Sequence, residues 1–512
     1  MKRCIACLLL ISMLSLLSGC TVPDTLSSAA MDTLPPAAVP FEAPLGTEDM
    51  RFTAYLPLFL PTLNEQNLTS VVSPIQCEHG ISSAQTIVSA LLSQPTDQTH
   101  LRLGGNTRLF LSGRFPVETA GHVCTVQLDT SALSATTEQL YIAGLAIAAT
   151  LYGIEEIRYV NLLVNERAIG LDLTDNLPMG SLTQHPGVEL PVLLQQMESR
   201  KTPLGSDPAS IPLTSTGTLY FPIVGEEGFV PEVRNLTFQG QTPALLALGL
   251  LQALSSGSQY TQGAAHMPDL LSYLTQDPEV SELPSGGRLL TLRFVSDLTS
   301  RISLLGFDPS AVIGSMVYTL TTFIPGLSAV RIFSGSTLMT SLTGDTFGTL
   351  YFEEGQQHRR QYSSGLRDLS QICLARGNAL ELITRTVPFS SAASPFLLLS
   401  LISRGPAEDE IQEGFQGVFP FEMDETDLLG IGITDDLLLL NLSSDCKQAI
   451  QGLDADAQQK LAYALVITLC NALGTQRVRF FFDSSAPETL GTDVFWGGEF
   501  LLNHALLEQS RG

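Results

Sequence analysis

Basic side chains are scarce in this chain, with 26 lysines and arginines against 51 aspartates and glutamates and a formal net charge of −25. Phosphate recognition needs a basic face, so this balance excludes a nucleic-acid partner and a polybasic contact with a membrane. Charge of either sign is thin, at 15% of residues, whereas hydrophobic residues reach 44%. A disordered chain is thereby excluded, and room is left for apolar patches of the kind that mark partner surfaces. The usual signatures of catalysis are missing as well. There is no Gly-x-Ser-x-Gly elbow, no Walker A loop and no His-Glu-x-x-His helix. The seven histidines form no i, i+4 pair that would make a metal face. No catalytic, cofactor-binding or metal-ligating residue is therefore expected. Beyond Leu17 no uninterrupted apolar run is long enough to span a bilayer.

Cysteines are few and unevenly placed. Cys4 and Cys7 fall in the N-terminal segment, and beyond Cys20 there remain Cys77, Cys124, Cys373, Cys446 and Cys470. That number is odd and the positions do not repeat, which argues for buried free thiols over a disulfide framework. One opportunistic bridge stays open as the alternative.

What is present begins at the N-terminus. Lys2 and Arg3 precede an apolar stretch from Ile5 to Leu17, and Leu17-Ser18-Gly19-Cys20 resembles the lipobox of bacterial lipoproteins. In that pattern the peptide is cut before the cysteine, whose thiol carries a diacylglyceryl group. The plainer alternative is a secretory signal with an accidental cysteine. Two acyl chains anchor firmly, since each buried CH₂ contributes about 0.8 kcal/mol. The expected organisation is a signal peptide over 1–19 and a lipidated Cys20 opening a Pro-, Ala-, Ser- and Thr-rich tether over 20–49.

The rest of the chain repeats itself. Gly217–Phe221 and Gly348–Phe352 both read GTLYF, and Ala54-Tyr55-Leu56-Pro57 echoes Leu219-Tyr220-Phe221-Pro222. Downstream of each lies a Thr-Leu pair late in a helical pattern: Thr150-Leu151, Thr319-Leu320 and Thr468-Leu469. Tyr55 to Thr150 is 95 residues, Tyr220 to Thr319 is 99 and Tyr351 to Thr468 is 117. Matched marks at near-constant spacing indicate one module written three times, each copy long enough to bury its own core. The expected modules are 50–166, 217–337 and 347–512, with a linker over 167–216 and an insertion at about 353–377 in the third.

Within a copy the hydrophobic period switches between two and 3.6. Strands are expected at Thr218–Val224 and Phe229–Phe238, then a helix opened by Thr242 as N-cap and Pro243 at its first turn. Ser394-Pro395 starts the same helix in the third copy, and Ser82-x-x-Gln85 reads as a capping box in the first. Hairpins are expected at Arg288–Val295 with Arg301–Leu305, and at Leu428–Ile433 with Leu437–Leu442. A second helix starts near Thr136, at Asp308-Pro309 and at Asp454. Last strands follow at Val160–Val164, Val330–Phe333 and Val478–Phe482, meeting turn-type residues at one offset: Asn165, Gly335 and Asp483. The order is ββαββαβ, which predicts an α+β fold of three tandem modules, each a mixed sheet with two helices on one face.

Several residue groups invite a functional reading. Glu408-Asp409-Glu410, Asp424-Glu425 with Asp427, and Asp435-Asp436 lack the spacing of a calcium loop and sit where turns or helix starts are expected. Arg158, Arg331 and Arg479 stand near the last strand of each copy and form a candidate contact face, or else guard a strand edge. Phe495-Trp496-Gly497-Gly498 holds the only tryptophan, and its expected role is a C-terminal strand folding back on the third copy.

The order Leu-Tyr-Phe, helix, hairpin, Thr-Leu helix end and Val-led last strand resembles the GerMN domain of bacterial sporulation and germination lipoproteins. The second copy carries it best, through Leu219–Pro222, Val230–Leu236 and Thr319–Ile332. The first matches over Thr137–Asn165, and the third at Leu350–Phe352 and Leu465–Asp483, with the insertion as a departure. The resemblance implies a non-enzymatic lipoprotein, held through Cys20 on the outer face of the cytoplasmic membrane. Its implied work is assembly or interaction in spore formation or germination, with envelope proteins or further copies of itself as partners and peptidoglycan as another candidate. The alternative is a cell-wall glycan binder or accessory peptidoglycan enzyme.

Overall fold

The computed structural model describes residues 41–507, apart from 79–82, 154–156, 172–176, 202, 204, 224, 260–266, 285 and 392–393. The signal segment, Cys20 and most of the tether lie outside the described residues.

The first copy runs β1 (Arg51–Pro61), β2 (Leu68–Glu78), α1 (Ala84–Ser93), β3 (Val117–Ala120), β4 (Val123–Leu128), α2 (Thr137–Leu151) and β5 (Tyr159–Val164). A further helix, α3 (Leu190–Ser199), follows before the second copy. That copy comprises β6 (Leu213–Pro222), β7 (Phe229–Phe238), α4 (Pro243–Ser255), β8 (Glu279–Glu282), β9 (Arg288–Phe294), α5 (Leu298–Leu304), α6 (Pro309–Phe323) and β10 (Leu327–Ser334). The third has β11 (Arg367–Arg376), β12 (Ala379–Pro388), α7 (Pro395–Arg404), β13 (Leu428–Thr434), β14 (Leu437–Leu442), α8 (Ala455–Leu473), β15 (Arg477–Phe482) and β16 (Glu499–Leu501). The chain is α+β, and the order ββαββαβ recurs with additions, α5 before the crossing helix in the second copy and β16 after the last strand in the third.

Each copy contains two sheets where one was expected. The first two strands form a long antiparallel hairpin of their own. The next strands form a separate sheet, ordered β3-β4-β5, β8-β9-β10 and β13-β14-β15-β16. In it the first pair is antiparallel and the second parallel, because a helix crosses over between them. That crossing helix does not lie on an open face. It packs against both the hairpin and the sheet, and so α6 is buried from Ser310 to Phe323 without a break. A helix apolar all round belongs in such a place.

One hydrogen bond recurs in all three copies. The backbone N–H of Phe59 donates to Thr150 Oγ1 at 3.0 Å, that of Tyr220 to Thr319 Oγ1 at 2.9 Å, and that of Cys373 to Thr468 Oγ1 at 2.9 Å. The separations are 91, 99 and 95 residues. This bond corrects the repeat register. The counterpart of Tyr220 is Phe59 and not Tyr55, and in the third copy it is Cys373 and not Tyr351. Tyr220 is 1% exposed, whereas Tyr55 and Tyr351 are 73% and 76% exposed. The second GTLYF belongs to a small hairpin, Ser341–Gly344 with Gly348–Tyr351, that precedes the third copy. Residues 353–377 are accordingly a connector followed by the whole of β11, and not an insertion inside a copy.

Helix starts follow the sequence signals closely. Thr242 accepts from Leu245 N with Pro243 in the first turn, Asp308 accepts from Ser310 N and Ala311 N, and Asp454 accepts from Ala457 N. The capping box sits on α2, between Thr136 and Gln139. Ser82, expected in such a box, lies outside the described residues, and α1 is preceded by Ser83 without a side-chain cap. In place of the expected strand Arg301–Leu305, residues 301–304 are helical and Leu305 follows as the C-cap: Asp297 takes φ +60° and ends the strand path, and Leu298 and Ile302 bury one face of α5. The partner of β9 is β8 upstream, whose four residues are all exposed and carry no alternating signal.

Residues 167–216 fold. Ile169, Leu171, Met179, Leu190 and Met197 belong to one continuous core with the first two copies, while the third copy has a core of its own. Among the described residues no helix is long and apolar enough to cross a membrane.

Candidate functional site: the seam between the copies

The outer face of the first sheet presents Glu118 on β3, Thr125 opposite it on β4, and Asn161 opposite that on β5. Polar residues in this row face protein and not solvent. Asn161 Nδ2 donates to Thr218 Oγ1 on β6 at 3.0 Å, Ser181 Oγ donates to Asn161 Oδ1 at 2.7 Å, and the Ser181 and Thr218 hydroxyls lie 2.9 Å apart. Asn161, Ser181 and Thr218 are all buried, so each polar atom needs this company.

Glu118 carries the row's charge. It is 4% exposed and meets Arg359, 2% exposed, through Nη2 to Oε2 at 2.5 Å. Tyr318 on α6 donates its hydroxyl to Glu118 Oε1 at 2.9 Å. The guanidinium lies 3.6 Å from the Tyr318 ring centroid and also donates to Thr322 Oγ1. One ion pair thus joins the first copy, the crossing helix of the second and the connector that leads to the third. Burial pushes the Tyr318 hydroxyl well above its usual range; the Arg359 cation opposes this and the Glu118 charge adds to it. For Arg359 burial disfavours the charge, but the Glu118 carboxylate outweighs it and the guanidinium is held more firmly protonated than usual. A buried pair of this kind costs desolvation and returns a fixed geometry. A run of three basic residues, His358-Arg359-Arg360, ordinarily faces solvent. The structure instead places Arg359 among the largest fully buried side chains.

Beside the pair opens a cleft of about 270 Å³, lined by Arg114, Phe115, Gln127, Glu166 and Arg360 among others. Arg360 lies 3.8 Å from Glu166, and Arg114 sits 5.1 Å from the Phe115 ring centroid. Phe115 in turn meets Phe389 of the third copy edge-on at 5.2 Å. Gly121 N donates to Asp368 Oδ1 at 2.7 Å, a second tie between the first and third copies.

The three arginines do not share a position. Asn165, Gly335 and Asp483 all take positive φ, at 49°, 62° and 49°, as matched left-handed turn residues. Counting back four from each gives Asn161, Arg331 and Arg479. Arg158 is exposed and precedes β5, with its N–H on the His122 carbonyl at 2.9 Å. Arg331 is half-buried, and its Nε donates to the Glu354 carbonyl at 3.2 Å. Its strand is paired on both sides, by β9 and by Gln356–Gln357, so it guards no edge. Arg479 also lies on an inner strand, between β14 and β16.

The acidic groups serve local structure. Glu410 pairs with Arg385 through both oxygens and accepts from Ala407 N. Asp424 and Asp427 bind Thr426 and Ser443, and Asp436 holds Arg477. Among the described residues, no three His, Cys, Asp or Glu gather closely enough to hold a metal ion. Cys77, Cys124, Cys373, Cys446 and Cys470 are buried, and none is joined to another in a disulfide. Trp496 is fully buried against Phe480, Phe482 and Phe500, with Nε1 on Gln458 Oε1 at 3.0 Å, and β16 folds back antiparallel on β15.

No family model matches the chain and no curated protein does. Among solved structures it is similar to the tandem GerMN domains of the sporulation protein GerM from Bacillus subtilis. Identity is 16%, covering 61% of this chain and 98% of that one, at a TM-score of 0.22. It is also similar to a Clostridium perfringens protein named a putative lipoprotein, at 17% identity over 26% of this chain and 87% of that one, with a TM-score of 0.17. Both superpositions are too loose to establish a shared fold.

Proposed function

We propose that the chain is a lipoprotein of GerMN type, anchored through Cys20 on the outer face of the cytoplasmic membrane, that works as an assembly module in spore formation or germination. It acts by contact and not by turnover. The observation that carries this reading is the seam, where Glu118, Tyr318 and Arg359 lock repeated units of one architecture into a set geometry. Fixed presentation of repeated modules is what a scaffold requires, and buried ion pairs serve geometry better than stability. Arg158 is the one exposed arginine of the three and is the one offered to a partner. The test uses the anchored protein as bait in sporulating cells. Wild-type chain is expected to retain envelope proteins, and Cys20→Ala to lose both lipid labelling and that retention. Labelling that survives the substitution removes the anchor from this reading.

The cleft favours a second reading. Arginines, a glutamate and an aromatic ring around about 270 Å³ suit a cell-wall glycan or its peptide. Release of soluble fragments from purified peptidoglycan by the wild-type protein would make this an accessory enzyme and would overturn the contact reading.

A further inference from the structure

Another cleft of about 270 Å³ opens where the first copy joins the second. After β5 the chain turns at Asn165 and Glu166, and Arg167 and Ala168 pair back on the strand. Gly326 N donates to the Ala168 carbonyl at 3.0 Å, and Arg288 N donates to the Gly326 carbonyl at 2.8 Å. These backbone bonds bring Arg167 from the first copy and Arg288 from β9 to the lining of one cleft.

The two arginines are differently engaged. Arg288 is 20% exposed and donates through Nη1 to the Pro325 carbonyl at 3.3 Å. Its Nε meets Glu282 at 3.4 Å, and Glu282 is 75% exposed, so this ion pair contributes little. Arg167 is half-buried, and among the described residues its guanidinium has no hydrogen bond or ion pair. The chain carries 51 acidic side chains against 26 basic ones, yet none of them pairs with this cation. Space for it is made by Gly287, at φ +86°. A Cβ there would lie 2.8 Å from the Arg167 guanidinium carbon and would collide with Ser328 Oγ. Ser328 Oγ is itself buried without a hydrogen-bond partner. Buried polar groups are ordinarily satisfied, so this corner holds more donors than its own acceptors use.

The remaining walls are apolar, with Leu133, Ile169 and Pro325 among them. A guanidinium takes a carboxylate through two parallel bonds, and capture of a C-terminal carboxylate is a recurring mode of peptide recognition. Drug-sized ligands fill about 300–1,000 Å³, so a smaller cleft suits an end group and not a length of polymer.

We propose that this cleft takes the C-terminal carboxylate of a peptide ending in small aliphatic residues. Arg167 binds the anion, Arg288 assists once Glu282 turns away to solvent, and the apolar walls cover the last side chain. The site goes beyond the assembly reading and depends on neither function proposed above.

The full chain in detergent is titrated with N-acetyl-alanyl-alanine, its C-terminal amide, acetate and inorganic phosphate, with binding read by ligand-observed NMR. The free acid is expected to bind more tightly than the other probes, by about tenfold or more. Arg167→Gln is expected to lower that affinity by about tenfold with the melting temperature unchanged, and Arg288→Gln to lower it several-fold. Glu282→Gln is expected to raise it, because Arg288 is then released to the ligand. Arg360→Gln, in the neighbouring cleft, should leave it as it is. Failure of the acid to bind, or equal binding of acid and amide, overturns the site. Acetate or phosphate binding as tightly as the acid overturns a peptide end as the ligand. Loss of binding with Arg360→Gln but not with Arg167→Gln overturns the choice of cleft. Lipid labelling at Cys20 and envelope pull-down do not depend on these results, so failure here is distinct from failure of the assembly reading.

Discussion

Thr319 Oγ1 accepts the backbone N–H of Tyr220 at 2.9 Å and donates to the Ser315 carbonyl at 2.8 Å. The hydroxyl thus ties the crossing helix to a hairpin strand while keeping its own helix bonded. Thr150 and Thr468 accept the equivalent N–H of Phe59 and Cys373.

Replacing Thr319 or Thr468 by valine keeps the shape and strands a buried N–H. A cost of about 1–3 kcal/mol follows for each. Thr150→Val is expected to cost less, because Phe59 is only half-buried and water reaches its N–H more readily. Urea unfolding of the three variants measures this order, read as the shift of the first transition, since several cores need not melt together.

Glu118→Leu and Arg359→Met are each expected to destabilise the seam by about 3–5 kcal/mol, because each leaves the other charge buried and unpaired. The double variant Glu118→Leu with Arg359→Met should recover much of that loss. A double-mutant cycle on the unfolding midpoint is the measurement, and strict additivity would show that the pair is not coupled.

Asp308 faces burial that raises its carboxyl pKa, yet hydrogen bonds from Thr346 and Ser310 outweigh it and leave the folded value below normal. A depressed carboxylate contributes stability that is present above the unfolded pKa of about 3.9 and fades as pH falls through the folded value. Acidification below about pH 4 is therefore expected to loosen the connector at Asp345 and Thr346, whose N–H groups Asp308 accepts at 3.2 and 3.0 Å. Hydrogen exchange at those two amides follows the loss. Asp308→Asn should show faster exchange already at neutral pH and a flatter acid response.

Burial pushes the Cys373 and Cys446 thiols up to about 12 and also raises Cys470. Thiolate is the reactive form, so these cysteines are expected to resist iodoacetamide at pH 8 until the chain unfolds. Peptide mass spectrometry across a urea series reads the result. Trp496 reports on the third core alone, whereas Cys124 belongs to the core of the first two copies. Fluorescence and Cys124 alkylation should therefore show separate midpoints.

Much of this architecture is legible along the chain, and the failures have physical causes. Thr150, Thr319 and Thr468 stand out as polar residues in apolar helices, and the left-handed Asn165, Gly335 and Asp483 mark matched turns. The first hairpin of each copy is harder. Only the second copy buries an aromatic at the bonded position, so Tyr55 and Tyr351 attract a comparison that Phe59 and Cys373 deserve. Arg158 matches Arg331 and Arg479 by type, while register assigns its place to Asn161. Nothing local announces the seam, because Glu118 and Arg359 lie 241 residues apart. Gly46, which pairs with Gly430 on β13, is equally hidden in a segment that reads as tether.

The first two copies share a continuous interior, whereas the third owns its own. Duplication and later shuffling would therefore act on unequal units. A recombination breakpoint at the head of the connector severs the Phe115–Phe389 contact, the Gly46–Gly430 bridge and the ion pairs of Arg359, Arg360 and Arg367 with Glu118, Glu166 and Glu227. A breakpoint near residue 212 divides a hydrophobic interior and leaves both halves open. In inheritance the chain behaves as a fused pair plus one detachable member, whatever the number of repeats its sequence displays.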